Sequence, residues 1–278
     1  MNDTVMVGVD GSPSSLAAVD IAAREARLRG APLRIVHALS RPSDLAPMIH
    51  GVLAQAEQRA AEVAPGLEVS RTVASGDTLT VLRSESRHAV LAVVGGRGHN
   101  RFGDLLLGST VVQLAAHAHC PVMAVRGRPD PQGPVLLAVD GSPAGVAAGE
   151  FAFAEAALRE APLIALHVWN TWSEQTPYEG PTHPLNVVVD LDQLREKHRR
   201  RLEEALAPWR VAHPEVSVEP LLERSRVRHA LLEAAKEAQL LVAGARGHGG
   251  FTGMLLGSVS QALLYHADCP VTVVRGKQ

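Results

Sequence analysis

Two glycine–serine clusters of identical spacing carry the residue types most suited to holding an anion. Gly95-x-x-Gly98 is followed after nine residues by Gly108-Ser109, and Gly244-x-x-Gly247 after nine residues by Gly257-Ser258. Glycine lets a backbone come close to an anion and adopt dihedrals that other residues avoid. Gly108-Ser109 opens the run STVVQLAAHAH, which reads as a helix whose first N–H groups and positive dipole end attract phosphate. The serine hydroxyl adds a donor or caps the helix instead. No Gly-Lys-Ser/Thr is present to grip β- or γ-phosphates, and no GxGxxG follows the first strand-like run, so the pattern is neither a Walker loop nor a dinucleotide fingerprint. Arg97 and Arg246 serve equally well as exposed solubilising charge or as phosphate contacts, and His99 and His248 divide the same way. Asp10 and Asp140 each end a short apolar run, VMVGVD and VLLAVD. A lone Asp there reads as a turn or cap residue; recurrence beside a matching glycine loop favours a ligand contact.

The elements that must position these residues come twice. VMVGVDGSP at 5–13 returns as VLLAVDGSP at 135–143, an offset of 130. The glycine loops and the endings HAHCPVMAVRG and HADCPVTVVRG keep an offset of 149. The difference of 19 residues is an insertion in the second copy, after APLIALHVWN in the stretch TWSEQTPYEGPTHPLN. Trp172 and Tyr178 in that insertion suit a covering loop, with a ligand lid or partner face as the alternative. GRPDPQGP separates the copies, giving a first domain at 1–127, a linker at 128–133 and a second domain at 134–278. In the first copy strands are expected at 5–10, 33–39, 67–73, 89–95 and 122–127. Helices are expected at 14–30, about 48–63, about 78–88 and from Ser109. Strands alternating with helices predict two tandem, doubly wound α/β domains with parallel sheets, Rossmann-like in layout. Such sheets bind ligands beyond the carboxyl ends of the strands, where the strand order reverses. Asp10 and Gly95 both fall at such ends.

Taken together, the glycine spacing, the VDGS ending of the first strand and the terminal CPVxxVR strand resemble the universal stress protein family, in its ATP-binding branch. The resemblance covers nearly the whole chain, twice. It implies an adenine nucleotide alpha hydrolase-like fold, with ATP, and Mg²⁺ accompanying the nucleotide, as cofactors. It implies that Asp10 contacts the ribose or adenine region with the backbone of Gly8 and Val9 nearby, and that Ala38 sits where backbone recognises adenine. It implies that Gly95, Gly98, Gly108, Ser109 and Thr110 hold ribose and phosphates. The matching positions of the second copy are Ala138, Val139, Asp140, Val168, Gly244, Gly247, Gly257, Ser258 and Val259. Family members dimerise through the last strand, and VMAVR and VTVVR could pair within this chain as a pseudo-dimer. A homodimer, an unidentified regulatory protein partner and a setting of stress or dormancy come from the resemblance alone.

Composition narrows the alternatives. A net charge of −2, from 27 basic and 29 acidic residues, argues against nonspecific nucleic-acid binding. No apolar run approaches the roughly 18 residues of a membrane span. The opening MNDTVMVGVD lacks a basic segment followed by a long apolar one, so no signal peptide and a cytoplasmic location are expected. Cys120 and Cys269 occupy equivalent positions and read as small buried hydrophobes, with a redox role or an inter-repeat disulfide as the alternative. His117, His119 and Cys120 have the composition of metal ligands without the spacing of a known zinc motif, and no metal is expected there. The expected function is a nucleotide-dependent regulator or sensor, not an enzyme beyond slow ATP hydrolysis. The alternatives are a slow ATPase or nucleotidyl-transfer enzyme on the same scaffold, and a phosphoacceptor module using Asp10. The copies are unequal: HNRFGD faces HGGFTG in the loops, and Gly76-Asp77 becomes Ser225-Arg226. Both sites are expected to bind, with different affinities.

Overall fold

The computed structural model describes residues 4–39, 46–96, 108–127, 132–170, 190–247 and 256–276. The first copy runs Thr4–Gly8 (β1), Pro13–Arg29 (α1), Leu33–Leu39 (β2), Ala46–Val63 (α2), Val69–Ser75 (β3), Thr78–Glu85 (α3), Ala89–Gly95 (β4), Ser109–His117 (α4) and Val122–Val125 (β5). The second runs Val135–Ala138 (β6), Pro143–Leu158 (α5), Leu163–Trp169 (β7), Leu191–Ala212 (α6), Val218–Arg224 (β8), Val227–Ala235 (α7), Leu240–Gly244 (β9), Ser258–His266 (α8) and Val271–Val274 (β10).

Local chemistry sets the boundaries. Three residues past the end of β1, Gly11 takes φ +81°, open to glycine and strained for other residues. Ser12 then caps α1, its hydroxyl accepting from Ser15 N–H at 3.2 Å, and Pro13 supplies a helical φ at the first turn. Ser142, Pro143 and Gly145 N–H repeat the device at α5. At the other end Gly30 closes α1 with φ +62°, its N–H on the carbonyls of Ala26 and Arg27. The equivalent residue after α5 is Glu160, at φ +50°.

Among the described residues the strands form one ten-stranded sheet, ordered β3-β2-β1-β4-β5-β10-β9-β6-β7-β8. Neighbours are parallel except β5 and β10, which pair antiparallel with Val271 opposite Ala124 and Val273 opposite Val122. The expected pairing of the two last strands is thus present within one chain, and the halves share one sheet. Both faces of the sheet are covered, which is why its strands read as continuous apolar runs. Val5, Val7, Ile35, Leu91 and Phe153 pack on one face; Met6, Val36, Leu114, Leu241 and Val271 pack on the other. Cys120 and Cys269 are buried in the second of these cores as reduced thiols, and burial pushes the Cys120 thiol up to about 12.

α1 and α5 meet at the seam through four charged residues. Arg29 pairs with Glu25 of its own helix and with Glu155 of α5. Arg159 pairs with Glu155 of its own helix and, at 2.5 Å, with Glu25 of α1. Glu25 and Glu155 occupy equivalent positions of the two copies, as do Arg29 and Arg159, so the ring is symmetric. Both carboxylates are buried. Burial pushes the Glu155 carboxyl up against the opposing pull of Arg159 and Arg29.

Candidate functional site at the carboxyl edge of each half

In each half the chain passes β1→β2→β3 outward and then returns to the other side of β1 for β4, so the order reverses between β1 and β4. The pairing of Gly8 with Val94 brings the end of β1 beside Gly95. β6 and β9 repeat this arrangement. Because β5 and β10 are antiparallel, the two edges open at opposite ends of the sheet.

Asp10 leaves the sheet as an exposed residue and organises the turn. Its Oδ1 accepts from the Ser12 N–H at 2.9 Å and from the Ser12 hydroxyl at 2.6 Å. The Ser15 hydroxyl donates to the Ser12 carbonyl at 2.9 Å. Asp140 does the same, accepting from Ser142 N–H at 2.9 Å and from its hydroxyl at 2.7 Å. His37 Nδ1 lies 2.9 Å from the Val9 carbonyl, and His167 Nδ1 lies 2.7 Å from that of Val139. A carbonyl only accepts, so Nδ1 carries the proton in both. Each imidazole therefore ties β2 or β7 to the residue preceding the aspartate.

The glycines close this arrangement by what they lack. A methyl at Gly95 would stand 2.5 Å from the Ser14 carbonyl oxygen, and one at Gly244 would stand 2.9 Å from the Ala144 carbonyl carbon. Gly95 and Gly244 thus admit the first turn of α1 or α5 against the sheet. A methyl at Gly247 would collide with Asp140 Oδ2, so Gly247 itself lies directly on the aspartate. Ser142 Oγ also lies 3.1 Å from the Arg246 carbonyl. Gly108 and Gly257 are the N-caps of α4 and α8, in extended conformation. Neither has a side chain to satisfy the first helical N–H groups, which open toward the same edge. Ser109 and Ser258 follow at the first helical position, both exposed, with Thr110 and Val259 half-buried behind them. Ala38 and Val168 lie near the ends of β2 and β7, Ala138 at the end of β6. Arg97, Gly98, His99 and His248 lie outside the described residues, as do Trp172 and Tyr178.

Reading the sequence alone passed over Gly11, Gly141, Ser12, Ser142, His37 and His167. The signal was present: each recurs at the offset of 130, and the histidines sit at the same place in LRIVHAL and LIALHVW. The copies then diverge. In the second, His167 Nε2 lies 2.8 Å from His198 Nδ1, and His198 stacks on Trp169 at 5.1 Å. Leu39 and Ile49 hold the corresponding places in the first. Asp77 caps α3 by accepting from Leu79 and Thr80 N–H at 3.2 and 3.0 Å, whereas Arg226 precedes α7 with no side-chain cap.

The model of the universal stress protein family matches residues 1–126 and, a second time, residues 133–275. The chain belongs to that family. A universal stress protein of Mycolicibacterium smegmatis is 39% identical over 294 residues, covering 98% of this chain and 96% of the relative. A universal stress protein of Mycobacterium tuberculosis strain H37Rv is 36% identical, with the same coverage of 98% and 96%. The crystal structure of a universal stress protein from Archaeoglobus fulgidus superposes with a TM-score of 0.69 over 100% of both chains at 19% identity, a likeness of fold. Among the described residues, no helix of this universal stress protein is long and apolar enough to cross a membrane. Nor does any group of three or more His, Cys, Asp or Glu among them suit a metal ion.

Proposed function

We propose that each half binds an adenine nucleotide, ATP in the first instance, and that occupancy of the two sites regulates what the protein binds in the cytoplasm under stress or dormancy. The observation that carries this reading is one convergence, present twice. An aspartate-centred turn, a glycine pressed against the next helix and the uncapped N-terminus of a further helix meet at a single edge. The residues fit the ligand. Helical N–H groups without a capping side chain suit phosphate oxygens, and the exposed Ser109 and Ser258 add hydroxyl donors. Asp10 and Asp140, with the backbone of Gly8, Val9, Ala38, Ala138, Val139 and Val168, form the side where ribose and adenine would lie. By their place in the sequence, Arg97, Gly98, His99, Arg246, Gly247 and His248 would add to the phosphate side. Mg²⁺ would travel with the phosphates.

The reading is one of binding rather than turnover: Oδ1 of each aspartate is engaged by Ser12 or Ser142 within the turn. The division into domains at 128–133, a homodimer and an unidentified protein partner belong to the same proposal. The test is calorimetric titration of nucleotide-stripped protein with ATP, with and without Mg²⁺. Two ATP per chain, reduced to one by Gly98→Glu or Gly247→Glu, is the expected result. Absence of binding heat in the unaltered protein would sink the nucleotide reading.

A further inference from the structure

The two edges share their backbone but not their charge. In the first copy the segment Val73–Thr80, spanning the end of β3 and the start of α3, carries one charged residue, Asp77. The equivalent segment Leu222–His229 carries Glu223, Arg224, Arg226 and Arg228. Between these two segments alone, the second is the more positive by three unit charges. Asp77, Arg224, Arg226 and Arg228 are all exposed, and they follow or end β3 and β8 at the carboxyl edge. Arg224 is also held in place: its guanidinium carbon lies 5.8 Å from the centroid of Trp169, the last residue of β7. Serine and leucine, Ser75 and Leu39, occupy those two positions in the first copy. α3 packs beside α4 and α7 beside α8, so the charges at the start of α3 and α7 stand roughly 10 Å from the helix N-terminus proposed to hold phosphate.

We infer that the second site selects the more highly phosphorylated nucleotide and the first the less charged one, with Asp77 on one side and Arg224, Arg226 and Arg228 on the other setting the difference. The inference rests on the nucleotide reading of both edges. In the absence of Mg²⁺, ATP carries about two more negative charges than AMP. Three unit charges at roughly 10 Å, screened by about 0.1 M salt, make the ATP-over-AMP preference about fivefold greater at the second site. At 0.5 M salt the Debye length falls well below that distance and the excess shrinks to less than about twofold.

The experiment isolates each site in the full chain, with Gly98→Glu leaving the second and Gly247→Glu leaving the first. Each variant is titrated with AMP, ADP and ATP without Mg²⁺, at low and high salt. The combination Arg224→Ser, Arg226→Asn and Arg228→Leu should lower the second site's ATP preference to that of the first. Asp77→Asn, which keeps a capping oxygen while removing the charge, should raise the first site's preference. Equal ATP-to-AMP ratios at both sites, or ratios that these substitutions leave unchanged while nucleotide still binds, would overturn the inference. Loss of all binding in the unaltered protein would instead overturn the nucleotide reading on which it stands, and the two failures are told apart by that control.

Discussion

The first and second halves of the chain are two solutions to one folding problem, and their differences separate what the backbone demands from what it tolerates. At the aspartate turn and the glycines beside it the halves agree: Gly11 and Gly141, Ser12 and Ser142, Gly95 and Gly244, Gly108 and Gly257. The partners of those turns agree as well, since His37 and His167 hold the same carbonyl. The seam agrees too, because each half must present to the other what it receives. Divergence reaches the rim of the edge and the helix ends, and also the core, where buried Ala23 corresponds to buried Phe153. Leu39 with Ile49 has become Trp169 with His198, and a capping aspartate has become an arginine.

The strongest way to break the comparison is to make the seam unequal. Glu155→Gln removes one carboxylate from a buried ring and leaves Arg29 and Arg159 short of a partner, and it should destabilise the protein by about 3 kcal/mol. Replacing all four members by apolar residues of similar volume should be near neutral, since it removes the desolvation that holds the Glu155 carboxyl above its ordinary range. Urea midpoints of the two variants decide the matter: if both lose stability alike, the ring contributes packing alone.

A smaller effect sharpens the comparison at the helix ends. Glu160 occupies at φ +50° the place that Gly30 fills in the first half. Glu160→Gly should therefore raise stability by about 1 kcal/mol, and Gly30→Ala should lower it by a similar amount. Equal and opposite shifts of the melting temperature are the expected signature; a loss at both positions would show that the Glu160 side chain contributes more than its backbone costs.

The smallest effect concerns the exposed cap. Hydrogen bonds from the Thr80 hydroxyl and from Thr80 and Leu79 N–H hold the Asp77 carboxyl below its ordinary value. The folded state therefore binds that proton less readily than the unfolded one. The stabilisation is complete above the unfolded pKa and is lost as the pH falls through the depressed folded value. Asp77→Ala should lower stability at neutral pH and flatten its acid dependence, with no matching change on Arg226→Ala, because Arg226 makes no side-chain cap. An unaltered acid profile would show that the cap contributes nothing measurable.

Much of the fold was legible because it is written in short-range patterns. Short apolar runs mark the strands, two of them leading into Gly-Ser-Pro, and the offsets of 130 and 149 mark the repeat. The boundaries moved for local reasons. The third strand, expected at 67–73, lies at Val69–Ser75: Gly66 turns the chain at φ +81°, and Gly76 N–H reaches the Leu39 carbonyl to extend the ladder. The helix expected at 78–88 ends at Glu85 in a 3-10 turn, where the buried Ser86 hydroxyl donates to the Arg83 carbonyl and accepts from His119 N–H. Asp10, expected as the last strand residue, lies beyond β1 in the turn. The candidate edge was legible in its glycines and aspartates, which recur. The seam ring was not. Glu25 and Arg29 lie four apart on one helix and read as a local pair, and only the meeting of α1 with α5 gives each a second partner. The His167–His198 contact was hidden for the same reason, its members lying on separate elements across the insertion.

The antiparallel pairing of β5 with β10 also imposes an order in time. As the chain is made, Val122–Val125 completes the first half's run of strands well before Val271–Val274 exists to cover it. At about 5–20 residues per second, synthesis from Val125 to Val271 takes on the order of 10 s, far longer than a hairpin needs to form. Throughout that interval the newly made half presents an apolar strand edge of the kind that pairs with other chains. The join that makes this protein one sheet is therefore also the last edge to be sealed, and the moment of greatest exposure in its life falls before it is complete.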